Sequence, residues 1–101
     1  MPEGETMAAT IEDISINYEE DGVQVVKELD KEVLSKGAWS TIVFKYQQLD
    51  KKTNDFGPAQ YTIRRYRKVK GEYMPQSKFN ISSDEQARKI SEILLNWIGQ
   101  K

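Results

Sequence analysis

Arg64, Arg65, Arg67, Lys68 and Lys70 fall within seven residues, and Tyr66 sits among them. A guanidinium presents a planar fork that can donate two hydrogen bonds to one phosphate, whereas an ammonium acts as a compact point charge. An aromatic ring beside such cations can stack on a base, because every base has a π-face. Two readings of the cluster are open on composition alone. It could be a track for phosphates, or a solvated strand whose cations guard a sheet edge against aggregation.

Other chemistry is removed by what the chain lacks. The 101 residues contain no histidine and no cysteine. The commonest general base, the Ser-His-Asp arrangement, thiol catalysis, disulfides and thiolate metal sites are all unavailable. Carboxylates remain, but Asp50 and Asp55 belong to a turn-rich stretch, and Asp84 and Glu85 to a helix start. The sequence shows no P-loop or GxGxxG fingerprint. A non-catalytic protein without cofactor or metal is expected.

The formal net charge of −1 conceals a division. Residues 1–34 sum to −8 and residues 35–101 to +7. The acidic residues 1–20 are read as a flexible N-terminal tail, with residues 21–101 as a single-strand-binding domain. That tail could solubilise, or fold over a basic surface and compete for it. The chain carries no apolar run of eighteen residues and no signal-peptide pattern, and the lack of cysteine fits a reducing compartment. An intracellular, cytoplasmic location is therefore expected, associated with the nucleoid if the source is bacterial.

The elements that must position these side chains follow from periodicity. Val23–Leu29 reads as a strand, with Gly22 before it, and Ile14, Ile16 and Tyr18 alternate as a short extra strand would. In Trp39–Gln47, Ile42, Phe44 and Tyr46 share one face and Trp39, Thr41, Val43 and Lys45 the other. Asp50 to Pro58 is dense in turn formers and predicts a long hairpin loop. In Gln60–Lys68, Tyr61 and Ile63 oppose Thr62, Arg64, Tyr66 and Lys68. After a turn at Gly71, Phe79 and Ile81 oppose Lys78 and Asn80. Ser82 and Glu85 have capping-box spacing. Ala87, Ile90, Ile93, Leu94, Trp97 and Ile98 then recur as a helical stripe, and Gly99 suits a C-terminal cap. The expected architecture is α+β: a four-stranded antiparallel sheet followed by one C-terminal amphipathic helix. That helix is expected to cover Tyr61, Ile63, Phe79 and Ile81, with Trp97 in the core or at a dimer contact.

The opposite, wet face would then present Trp39, Lys45, Arg64, Tyr66, Lys68 and Lys78, cations interleaved with aromatics as single-stranded nucleic acid requires. Duplex readout is disfavoured, because the helix is an amphipathic cover and not a basic recognition helix.

This order of elements resembles the positive cofactor four family and its bacterial single-stranded-DNA-binding relatives. The family's aromatic-Asp-Ile-Arg-x-aromatic strand has its counterpart in Tyr61-Thr62-Ile63-Arg64-Arg65-Tyr66. Its Lys-Gly-Ile-Ser/Thr strand is matched by Lys78-Phe79-Asn80-Ile81-Ser82, and its Lys-Gly-Trp opening by Lys36-Gly37-Ala38-Trp39. Thr62 stands where the family has Asp, Tyr66 where it has Trp, and the Lys is displaced by one place. The resemblance spans about residues 22–98. It implies a homodimer that binds single-stranded DNA with little sequence preference, as a transcriptional or DNA-maintenance cofactor beside the transcription or replication machinery. Arg64 and Lys78 would contact phosphate and Trp39 and Tyr66 would stack, and Lys36 is counted with them among the binding residues. RNA is an alternative ligand, and a protein-interaction module using its sheet edge or helix face is the alternative function.

Overall fold

The computed structural model describes residues 8–99. Six strands, β1 (Tyr18–Glu20), β2 (Val23–Ser35), β3 (Trp39–Asp50), β4 (Asp55–Phe56), β5 (Gln60–Val69) and β6 (Glu72–Ile81), precede one helix, α1 (Asp84–Ile98). The main sheet is antiparallel throughout, ordered β1-β2-β3-β5-β6, and β4 pairs with the far end of β3. The α+β class and the terminal helix hold. The strand number is larger than four, because Tyr18 to Glu20 pairs back on β2 and Phe56 pairs Leu49 inside the expected loop.

Two hairpins turn in two residues. Asp21 (φ 52°) with Gly22 (φ 81°), and Lys70 (φ 53°) with Gly71 (φ 83°), adopt the paired positive φ of a type I′ turn, whose twist matches that of the flanking strands. Asp-Gly is a favoured pair there. Lysine is not, since a side chain with Cβ is strained in the left-handed region.

The β3–β5 pairing sets Trp39 against Arg67, Ile42 against Arg64 and Phe44 against Thr62. β6 continues the rows, with Arg64 against Lys78 and Ile63 against Phe79. One face therefore carries Ser40, Ile42, Phe44, Tyr46, Thr62, Arg64 and Tyr66. The other carries Trp39, Thr41, Val43, Lys45, Tyr61, Ile63, Arg65, Arg67 and Phe79.

The alternation within each strand is as expected, and β3 buries the expected side (Ile42, Phe44 and Tyr46), but β5 and β6 are turned over relative to it. Tyr66, Phe44, Ile42 and Thr62 are fully buried and Arg64 is 6% exposed, while Phe79 is 54% exposed. The cover is the N-terminal segment, not the helix. Residues 8–17 cross the first face as a strap that puts Ile11, Ile14 and Ile16 into one cluster with Ile42, Phe44, Tyr46, Tyr66 and Tyr73. Residues 8–20 are thus not a tail; residues 1–7 of that expected tail lie outside the described residues.

Polar groups latch the strap at both edges of the sheet. At β6 the Tyr73 N–H donates to the Ala8 carbonyl at 2.7 Å. At β2 the Lys31 ammonium donates to the carbonyls of Ile11 (2.7 Å), Glu12 (3.2 Å) and Ile14 (2.6 Å). They lie in and just after the single 3-10 turn Ile11–Asp13, whose Ile11 carbonyl also accepts from the Ile14 N–H at 3.2 Å. Glu28 accepts from the Ser15 hydroxyl and the Ile16 N–H at 3.0 and 3.1 Å.

The helix is capped one residue later than the sequence spacing suggests. Ser83 accepts from the Gln86 N–H, and Gln86 Oε1 accepts from the Ser82 N–H, so Gln86 takes the place expected for Glu85. Gly99 closes the helix at φ 97°. α1 meets the end of β6, and the Tyr61 hydroxyl of β5 donates to Asp84 at 2.7 Å. None of the fifteen helix residues is buried, and Trp97, expected in the core or at a dimer contact, is 76% exposed in the single chain. No helix among the described residues is long and apolar enough to cross a membrane.

Candidate nucleic-acid interface

The register divides the expected site between the two faces. Trp39 and Lys45 lie on the open face; Arg64, Tyr66 and Lys78 lie on the strap face. Tyr66, fully buried under the strap, is not a stacking platform, and Arg64 is not a surface cation. Arg64 Nε donates to the Thr62 hydroxyl at 3.4 Å, and that hydroxyl donates to Asn80 Oδ1 at 2.7 Å. Lys78 and Asn80 are exposed, and with Val26, Tyr46, Gln48 and Arg64 they rim a notch of about 80 Å³. Burial pushes the Tyr46 phenol above its ordinary pKa, and the Arg64 charge opposes that shift.

Magnitudes decide whether the strap face could open for a ligand. Lifting the strap would expose Ile11, Ile14 and Ile16, at about 1.5–3 kcal/mol for each large apolar side chain. A ligand would forfeit that sum before gaining any affinity. The strap is core, so competition between this acidic segment and a polyanion for the same face finds no geometric support in residues 8–17.

The open face offers a different cluster, at the end of the sheet where the β2–β3 and β5–β6 turns meet. Trp39 is 43% exposed. The Arg65 guanidinium lies 4.5 Å from the centre of its ring, and that of Arg67 5.6 Å. Both arginines are exposed because odd residues of β5 face away from the strap. The two turns are tied together: the Lys68 N–H donates to the Ala38 carbonyl at 2.7 Å, and the hydroxyls of Ser40 and Tyr73 donate to that of Gly37. This tie brings Lys36, Lys68 and Lys70, all exposed, to the same end. Lys68 Nζ lies 5.4 Å from the Tyr73 ring centre. Lys45 is exposed farther down the open face, directly opposite Tyr61.

Of the expected residues, the structure therefore gathers Lys36 and Trp39 at one end of the open face and leaves Lys45 on that face at a distance. It turns Arg64, Tyr66 and Lys78 to the strap face, and Lys68 with them, at the same end of the sheet and beside Tyr73. Arg65, Arg67 and Lys70 join the cluster although the expected set omitted them. The signal for Arg65 and Arg67 is parity: they alternate with Thr62, Arg64 and Tyr66. Among the described residues no group of three or more acidic side chains could hold a metal ion.

A scan against protein-family models finds none that matches this chain, and neither the curated proteins nor the solved structures give a match.

Proposed function

We propose that this chain is a non-catalytic protein that binds single-stranded nucleic acid, DNA first among the alternatives, at the basic end of its open face. The observation that carries the reading is a half-exposed indole flanked by two guanidiniums, Trp39 with Arg65 and Arg67. An exposed ring supplies stacking surface, while Arg65, Arg67, Lys36 and Lys70 supply charge for consecutive phosphates. The strained turn adds support. Lys70 holds φ 53° where asparagine or glycine would be relaxed, and strain retained at one position points to a use for that side chain. The resemblance drawn from the sequence points to the same ligand class, although it placed the contacts on the other face.

The test is a titration of labelled oligo-dT, duplex and RNA oligomers with the wild type, Trp39→Ala and Arg65→Ala/Arg67→Ala. Loss of one stacked base is worth about 1–3 kcal/mol, a fall of roughly 5- to 150-fold for Trp39→Ala. Each arginine removed from phosphate should flatten the logarithmic salt slope by about 0.7. Affinity that is absent, or unchanged between 50 and 500 mM salt, sinks the proposal. A second reading, a protein-interaction module, is favoured by one observation: the apolar stripe of α1 is exposed, with Leu94 at 49% and Ile98 at 73%. It predicts no oligonucleotide affinity at all.

A further inference from the structure

Two apolar surfaces of this chain are uncovered among the described residues, and each has the shape the other needs. One is the stripe of α1, where Ile93, Leu94, Trp97 and Ile98 are exposed. The other is a row across three strands of the open face, Val43 opposite Ile63 opposite Phe79. Strands lie about 4.8 Å apart, so the row spans roughly 10 Å, close to the diameter of a helix.

The two cannot meet within one chain as it is folded. The Ser83 cap, the Gln86 side chain bonded to the Ser82 N–H, and the Tyr61–Asp84 hydrogen bond fix the direction in which α1 leaves β6. In its own chain α1 buries none of its residues and leaves Phe79 of the row 54% exposed. A fifteen-residue helix with no buried face is marginal in water, since packing of the apolar face supplies most helical stability.

We infer that two copies exchange helices: α1 of each lies over the Val43–Ile63–Phe79 row of the other. A second copy is the one occupant that covers both surfaces at once, through a two-fold axis that makes the contacts reciprocal. A lipid surface fits less well. The polar side of α1 sets Asp84, Glu85 and Glu92 against Arg88 and Lys89, without the basic excess that draws helices to anionic headgroups. The surface area agrees. The chain exposes 7211 Å², where a compact monomer of this mass exposes about 5,900 Å². The excess is larger than the roughly 800 Å² that each partner buries in a standard interface. The exchange deepens the homodimer expected from the sequence by naming the surfaces that meet. It makes no use of Trp39, Arg65 or Arg67, and it stands independently of the nucleic-acid proposal.

The chain has no cysteine, so single thiols can report the contact. Light scattering on the wild type, without nucleic acid, should give twice the 11.7 kDa chain mass. Phe79→Cys and Leu94→Cys, mixed and mildly oxidised, should give a cross-linked dimer that neither variant gives alone. Leu94→Asp should halve the mass with the sheet's circular dichroism retained, while Trp39→Ala remains dimeric. Each of four outcomes overturns the inference: a monomeric wild type, a Leu94→Cys variant that cross-links to itself, a doubly substituted chain that closes within itself, or a dimer whose mixed thiols never cross-link. Failure to bind oligonucleotide by a dimer with the mixed cross-link would overturn the other proposal and leave this one standing.

Discussion

Arg64 and Arg65 are adjacent in the chain and lie on opposite faces of the sheet, one 6% exposed beside Thr62, the other 4.5 Å from the Trp39 ring. The same chemical group is thus structural at one position and available at the next. Arg64→Ala should lower the stability to urea by about 1–3 kcal/mol, because it strips a hydrogen-bonded group from a buried site. Arg65→Ala should leave stability within about 0.5 kcal/mol of wild type and weaken oligo-dT binding. The reverse pattern, affinity lost with Arg64→Ala at unchanged stability, would move the binding surface to the strap face.

Lys70 invites a substitution that separates stability from binding. Lys70→Asn relaxes a left-handed residue in a two-residue turn, and a gain of about 0.5–1 kcal/mol in urea is expected. The same change removes a cation from the basic end, so affinity for single strands should fall. A variant that gains stability and keeps full affinity would detach this turn from the binding site.

The strap predicts large effects from residues that composition assigns to a tail. Ile16 is fully buried, and Ile16→Ala should cost about 2–5 kcal/mol. Lys31→Met keeps most of the side chain's bulk and removes bonds to three carbonyls. Hydrogen bonds to charged groups are worth about 1.5–3 kcal/mol each net, so a loss of at least one such increment is expected by urea unfolding. Equal stability of Lys31→Met and wild type would contradict the latch.

Much of the fold was readable, and the unreadable part has a definable cause. Alternation separates Ile42 and Phe44 from Trp39 and Val43, and Arg64 from Ile63, within each strand. Which face of β5 joins which face of β3 depends on the parity of their register. The connection through β4, from Lys51 to Ala59, determines it, and its composition does not reveal how many residues pair. Trp39 and Arg64 therefore looked like neighbours. The covered side was hidden for a second reason. Ile11, Ile14 and Ile16 stand among Glu12, Asp13 and Ser15 without a regular period, since the strap is an irregular segment held by Lys31 and Glu28. A C-terminal stripe of six apolar residues, five of them large, is the stronger local signal, although α1 buries none of them in this chain.

Two tyrosines give stability a downward limb at high pH. The hydrogen bond to Asp84 raises the Tyr61 phenol above the ordinary value, and burial raises that of Tyr46. For each, the neutral form is favoured on folding. The contribution is complete below the unfolded pKa of about 10, and is lost as pH rises through the higher folded value. Absorbance titration at 295 nm should show late ionisation that Tyr61→Phe and Tyr46→Phe each diminish. Tyrosines that all ionise together, as in urea, would refute the assignment.

The strap also dictates an order of events during synthesis. Ala8 bonds to Tyr73, and Ile14 and Ile16 pack in one cluster with Tyr66, so the strap finds its partners only once β5 and β6 have been made. Until then β2 and β3 present Val26, Ile42 and Phe44 without a lid. Contacts this distant in sequence slow folding and prolong the exposure of sticky strands. Nascent chains stalled before Tyr73 should therefore be the species that chaperones hold.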